Sequence, residues 1–113
     1  MITDLTLVDY NQVIRNIWDK EYDTFENIIP TIIPNCDHTP RSGRKGTVYV
    51  NSTPDKFERL AKKVFNEVNK KQNKMIMLKS WNEWGEGNYM EPDLIYGHGF
   101  IDALRKALNS TNI

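Results

Sequence analysis

Glu83 and Glu86 stand three residues apart in the segment Trp81-Asn82-Glu83-Trp84-Gly85-Glu86-Gly87-Asn88-Tyr89-Met90-Glu91-Pro92-Asp93. Two tryptophans, one tyrosine, two asparagines and four acids within thirteen residues suit a sugar. Its apolar C–H faces stack on indole rings, and its hydroxyl edges bond carboxylates and amides. Breaking or transferring a glycosidic bond also needs two carboxyl groups. One delivers a proton and the other acts as base or nucleophile, roughly 5 Å away in retaining chemistry. On a regular strand, residues three apart point to opposite faces. Gly85 and Gly87 allow the chain to turn, so both carboxylates could face one cleft. The plainer reading of the same composition is a surface loop with its acids in water and its tryptophans packed beneath.

A second polar stretch, residues 35–46, holds Cys36, Asp37, His38, Arg41, Arg44 and Lys45. Cys36-Asp37-His38 lacks a partner cluster, and adjacent side chains converge poorly on one ion, so no metal site and no cofactor is expected. Cys36 has no assignable base to make it a nucleophile. The arginines could grip a phosphate, but a solvated loop is the default for such a charge run. His98, between two glycines, is expected to cap or pack at a helix start. Lys79 is either a buried counter-charge or exposed.

The elements that must position these residues follow from periodicity. Residues 5–18 read as a short extended start running into a helix, with Asp9 as N-cap and Val13, Ile14 and Ile17 at helical spacing. Residues 20–27 are a polar connection. Residues 28–33 form a short β-branched strand in which Pro30 marks an end or a bulge. Thr53 caps the strongest helix, with Pro54 and Asp55 in its first turn. Its apolar face is Phe57, Leu60, Ala61, Val64, Phe65 and Val68. Lys56, Arg59, Lys62, Lys63, Lys70 and Lys71 are expected to be its solvated exterior. Residues 75–78 are a second apolar strand, and Phe100, Ile101, Leu104, Ala107 and Leu108 mark a closing helix.

Two strands joined through an amphipathic helix should be parallel neighbours. Both elaborate loops then lie at the carboxyl ends of strands, where α/β enzymes place their sites. The expectation is an α/β fold: about two βα units plus a leading helix, the C-terminal portion of a (β/α)₈ barrel. A complete barrel takes about 250 residues, whereas this chain has 113. Alone it is expected to be marginally stable or to associate, because two strands leave their edges unpaired.

Fifteen basic and fifteen acidic residues cancel, which argues against nucleic acid or an anionic membrane as main partner. No apolar run approaches the roughly 20 residues of a membrane helix, and the start has no basic and apolar leader. With a single cysteine no internal disulfide forms, and a cytoplasmic location is expected.

Ser80-Trp81-Asn82-Glu83-Trp84-Gly85-Glu86-Gly87, then Glu91-Pro92-Asp93 and Tyr96-Gly97, resembles the signature of WbsX-type proteins of polysaccharide-biosynthesis clusters. Its Asn-Glu-Trp core is also similar to the endo-α-mannosidases of glycoside hydrolase family 99, which are (β/α)₈ barrels. Pro34 with Asp37-His38-Thr39-Pro40-Arg41 resembles a second family element on the preceding loop. The likeness runs from about residue 9 to 108 and makes residues 1–113 one partial barrel domain. It implies glycosyl transfer in cell-surface polysaccharide (O-antigen or capsule) synthesis, on an oligosaccharide or lipid-linked glycan, with the N-terminal barrel portion as a partner. Retaining endo-α-glycoside hydrolysis is the alternative, and a non-catalytic sugar-binding or truncated piece is a third.

The resemblance makes Glu83 the base toward a sugar 2-hydroxyl, giving an epoxide-like intermediate, and Glu86 the general acid and then base. It places Trp81, Asn82, Trp84, Tyr89 and Glu91 around the substrate. Asp37 and Arg41 either bind substrate or pair with each other to brace their loop, the pairing being favoured. Cys36 stands where the family usually has tryptophan, which removes a stacking platform.

Overall fold

Thr53 opens α3 (Pro54–Val68), its hydroxyl accepting the Lys56 amide at 3.3 Å. Proline in the first turn wastes no hydrogen bond there, and Asp55 complements the positive end of the helix dipole. The stripe Phe57, Leu60, Ala61, Val64, Phe65 and Val68 is buried throughout. It packs against α4 (Gly99–Thr111), which buries Phe100, Ala103 and Ala107. Phe57 and Phe100 meet edge to face with ring centroids 6.0 Å apart. This helix pair is the centre of the core. The computed structural model describes residues 4–111.

Two short parallel pairs lie beside the helices. β2 (Thr31–Ile32) pairs with β4 (Met77–Leu78) in the register Thr31↔Met77 and Ile32↔Leu78. The Met77 amide donates to Pro30 O at 2.9 Å and the Lys79 amide to Ile32 O at 3.0 Å. The expected parallel neighbours joined through the long helix are therefore present. Their ladders are shorter than expected, because Pro30 has no amide to extend the pairing upstream. Buried Ile32 and partly buried Leu78 belong to the helix-side core, whereas Met77 is 56% exposed and Met75 52%.

β1 (Thr6–Asp9) runs parallel to β3 (Thr47–Val50), from Thr6↔Thr47 to Asp9↔Val50. Asp9 ends β1 and caps α1 (Tyr10–Asn16), accepting the Asn11 amide at 2.8 Å. Tyr10 is buried, and its hydroxyl donates to Ile33 O. Burial, and secondarily the neighbouring Tyr49, push its pKa well above the usual phenol value. β3 has no counterpart in the sequence expectation. Its Thr-Val-Tyr-Val run follows a glycine-rich loop closely, and its partner lies some forty residues upstream.

The stretch 35–46, expected as plain loop, contains α2 (Thr39–Ser42) and a 3₁₀ turn at Gly43–Lys45. The stretch 80–93 folds into an antiparallel hairpin, β5 (Asn82–Glu83) with β6 (Asn88–Tyr89), around a 3₁₀ turn at Trp84–Glu86.

The lysine-rich exterior of α3 needs correction. Lys71 is buried and its Nζ donates to Asp23 O and Ile28 O at 2.9 and 2.8 Å. Lys63 Nζ donates to Ile14 O and Arg15 O at 2.8 and 3.0 Å, closing the last turn of α1. Carbonyls left open at helix ends and turns attract ammonium groups, so these two act as caps rather than solvated charges.

The molecule measures 49 × 32 × 20 Å. Among the described residues, no helix is long and apolar enough to cross a membrane. The core makes a direct prediction. Phe57→Ala removes a fully buried ring and should cost about 3–5 kcal/mol, read as a lower denaturation midpoint at unchanged slope.

Candidate active site

Two buried asparagines join the loop after β2 to the hairpin after β4. Asn35 Nδ2 donates to Tyr89 O at 3.1 Å, and the Tyr89 amide returns a 2.8 Å bond to Asn35 Oδ1. Asn88 Nδ2 donates to Asn35 O at 2.8 Å and to Lys79 O at 2.9 Å. Ser80 completes the clamp: its hydroxyl donates to Asn88 O at 2.7 Å and accepts the Glu83 amide at 3.2 Å. The Asp37 amide then donates to Glu86 O at 3.0 Å. The segments bearing Asp37 to Arg41 and Glu83 to Glu86 thus become one surface.

Gly87 makes that contact possible. Its φ is +55°, and a Cβ there would lie 2.6 Å from the Asp37 backbone. Gly85 leaves room for Arg41, whose Nη2 would stand 2.8 Å from an added Cβ. The two glycines whose turning the sequence suggested are therefore points of close approach.

α2 and its preceding residue meet both glutamates. Arg41 Nη2 lies 2.9 Å from Glu83 Oε1, with both side chains largely solvated. His38 Nε2 lies 2.8 Å from Glu86 Oε1 in a more sheltered position. His38 Nδ1 is also 2.7 Å from Ser42 Oγ. The favoured Asp37–Arg41 pairing is overturned. The Asp37 carboxylate turns back to accept the Thr39 amide at 3.0 Å and the Thr39 hydroxyl, as an aspartate at the mouth of a turn readily does. Arg41 is thereby left for Glu83.

Trp84 stacks on Tyr89 with ring centroids 3.9 Å apart and planes 13° from parallel. Its indole N–H donates to Glu91 Oε1 at 2.8 Å. One face of Trp84 is covered, and the residue remains exposed. Glu91, expected among substrate contacts, holds this indole with one of its oxygens. Trp81 is exposed while its carbonyl accepts the Met90 and Glu91 amides at 2.9 and 3.2 Å. Asn82 is exposed opposite Tyr89 in the hairpin. Burial, then the Asp93 carboxylate beside it, push the Tyr89 phenol up to about 12.

Beside Trp84 lies an open hollow of about 590 Å³, lined also by Pro92, Asp93, Leu94 and Ile95. A pocket of about 270 Å³ lies behind Gly87, lined by Asn35, Cys36, Asp37, Tyr49, Ser52 and Tyr89 among others. Burial pushes the Cys36 thiol up, Lys79 opposing and Asp37 and Glu86 adding, so it is a poor nucleophile. Among the described residues no three His, Cys, Asp or Glu side chains gather to hold a metal. Sequence reasoning weighed His38 as a metal ligand and named it within a motif, but missed it as the partner of Glu86. Its separation of forty-eight residues leaves no local signal.

The sequence profile of the family described as Glycosyltransferase WbsX matches residues 2–104. The chain is 29% identical over 105 residues to the protein WxcX of one Xanthomonas campestris pv. campestris strain, covering 90% of this chain and 15% of that protein. It is 29% identical over 103 residues to WxcX of a second strain, covering 88% of the chain and 15% of the relative. The chain therefore spans about 15% of the length of these curated relatives. No solved structure matches it.

Two outcomes test this geometry. Gly97 also has positive φ, at +57°, but an added Cβ there meets nothing within 4 Å. Gly97→Ala should therefore cost about 1 kcal/mol of backbone strain. Gly87→Ala should lower thermal stability distinctly more, since it also forces the Asp37 backbone away. Tyr89 supplies a pH test. Unfolded it ionises near 10, but folded it stays neutral to about 12. The unfolded chain loses this proton first, so the stabilisation is whole below pH 10 and is lost as pH rises through the folded value. Alkaline unfolding curves should fall less steeply in that window for Tyr89→Phe.

Proposed function

Because the chain belongs to the WbsX glycosyltransferase family, and so to carbohydrate chemistry, we propose that it supplies the paired carboxylates for glycosyl transfer onto a cell-surface polysaccharide precursor. The observation that carries this reading is the contact of α2 and the residue before it with both glutamates, Arg41 on Glu83 and His38 on Glu86. An arginine partner does not exchange protons, and a histidine partner does. Glu83 is thus suited to act as the base or nucleophile, and Glu86 to give and retake a proton at the glycosidic oxygen. The exposed face of Trp84, with Trp81 and Asn82 nearby in sequence, offers the stacking and amide groups a sugar ring needs.

In the same reading, residues 1–113 are the C-terminal portion of a (β/α)₈ barrel. The β2–β4 pair and its crossover helix support this, as do exposed Ile29, Met75 and Met77. A closed barrel would bury such a face, and further strands would cover the open edges. The 15% coverage of WxcX favours catalysis by a longer polypeptide in which this segment supplies only part of the site. The glycan, oligosaccharide or lipid-linked, then lies between this surface and the remaining barrel loops. Hydrolysis of an α-linked glycan by the same carboxylates is the second reading, since Arg41 and His38 would serve either reaction.

The test is turnover, in the complete polypeptide, of α-linked manno-oligosaccharides and of a lipid-linked acceptor, with binding measured in parallel. Glu86→Gln should lower kcat by about 10²–10⁴-fold at nearly unchanged affinity. Trp84→Ala should mainly weaken binding. Full turnover by Glu86→Gln would remove the catalytic assignment.

A further inference from the structure

The open hollow beside Trp84 has no part in the carboxylate chemistry, and its walls are of a different kind. Trp84, Pro92, Leu94 and Ile95 line it, and Asp93 is the one ionisable residue in its described lining. Its volume of about 590 Å³ falls within the span of about 300–1,000 Å³ usual for small-ligand sites. Leu94 is 106% exposed and Ile95 80%, so both branched side chains project beyond the backbone that carries them. Adjacent aliphatic side chains left in water beside an indole make a patch for something apolar.

The turn holds them out. The Asp93 amide donates to Gly97 O at 3.1 Å and the Gly97 amide to Asp93 O at 2.9 Å. Asp93 Oδ1 accepts the Ile95 amide at 2.9 Å and the Tyr96 amide as well, and Gly97 closes the turn at φ +57°. This patch differs from Ile29, Met75 and Met77, which lie on or just before short strands that further strands can extend. The amides of Asp93, Ile95, Tyr96 and Gly97 are already bonded within the turn, so a strand gains little by pairing there. Whatever covers Leu94 and Ile95 meets their side chains.

Trp84 belongs to this hollow and to the sugar-facing surface at once. Tyr89 covers one of its faces and Glu91 holds its N–H, so the indole is a fixed wall that the two share. A free oligosaccharide lying against Leu94 and Ile95 would bury hydroxyls without partners, which is unfavourable. A glycan with an aliphatic chain beyond its anomeric carbon offers a ring for Trp84 and methylenes for Leu94 and Ile95.

We propose that the hollow between Trp84 and the Leu94–Ile95 turn is a subsite for the aliphatic chain of a lipid-linked glycan. The substrate class is then the lipid-linked form rather than the free oligosaccharide. This rests on the reading of Trp84 as a sugar platform beside Glu83 and Glu86. The sugar lies on Trp84, and the chain next to it runs over Leu94 and Ile95. No bond forms or breaks in the hollow; its contribution is the apolar surface removed from water.

The experiment is calorimetric binding, in the complete polypeptide, of methyl, butyl, hexyl and octyl α-mannosides below their micelle-forming concentrations. In wild type each added methylene should tighten Kd by about two- to fourfold. With Leu94→Ser and Ile95→Ser combined, that dependence on chain length should vanish, methyl mannoside serving as the baseline and the thermal midpoint as the fold control. No dependence in wild type, or a dependence that survives the double substitution, overturns the proposal. A lowered midpoint in the double variant would mean that other parts of the polypeptide cover the hollow, and overturns it too. So does binding to phosphatidylcholine vesicles free of glycan that the double substitution abolishes, since the turn would then be a bilayer contact. The measurement involves no turnover, which separates it from the reading beneath it. Full turnover by Glu86→Gln would remove the carboxylate assignment and leave the chain-length dependence standing. Loss of that dependence with Glu86→Gln inactive refutes the subsite alone.

Discussion

The reciprocal amide bonds of Asn35 and Asn88 are the interaction on which the rest of the site depends. Two loops more than forty residues apart share a surface only because Asn35 pairs with both backbone groups of Tyr89, while Asn88 reaches back to Asn35 and Lys79. Both side chains are buried, Asn88 to 1% exposure. Losing one partner would leave polar groups stranded away from water at about 1–3 kcal/mol each. Asn88 Oδ1 has no hydrogen-bond partner among the described residues, so this amide is held through its two donor bonds. The cost of breaking the clamp helps fix where α2 meets the hairpin, together with buried Met90 and the Tyr89 ring packed on Phe100.

Everything chemical about the surface is downstream of that register. Once the Asp37 backbone rests on Gly87, His38 and Arg41 are placed one turn apart against Glu86 and Glu83. The Arg41–Glu83 pair is too solvated to contribute much stability, about 1 kcal/mol or less, so its value lies in directing a carboxylate. Trp84 is directed similarly, by Tyr89 beneath it and Glu91 at its N–H. The hairpin presents the open face of Trp84 beside two carboxyl groups held by Arg41 and His38.

The supporting layers are asymmetric. On the helix side, Ile32, Phe57, Phe65, Phe100 and Ala107 close a continuous core. Beyond the sheet, Ile29, Met75 and Met77 meet solvent. An apolar patch left open in this way, on β4 and on the residues just before β2 and β4, is unfavourable for a free molecule. It fits a segment that spans about 15% of its longer relatives.

The helix stripe of α3 was legible in full from spacing, since all six expected residues are buried and Thr53 caps as its position predicted. Asp9 as a cap and the parallel pairing of the two apolar strands were legible for the same reason: helical periodicity, local capping and βα alternation are written in neighbouring residues. The chemistry of the segment from Trp81 to Asp93 was legible as a set of residue types. Which carboxylate meets which cation was not. His38 and Arg41 reach Glu86 and Glu83 across more than forty residues, and the closer-looking Asp37–Arg41 pair lost to a local turn. β3 was hidden because its partner strand is distant, and Lys71 because lysines on a helix exterior look alike until a loop's carbonyls close over one of them. The sequence by itself determined the long helices, the pairing of β2 with β4 and the kinds of group available. Only the tertiary structure decided the partners, because hydrogen bonds between loops depend on distances that no local spacing encodes.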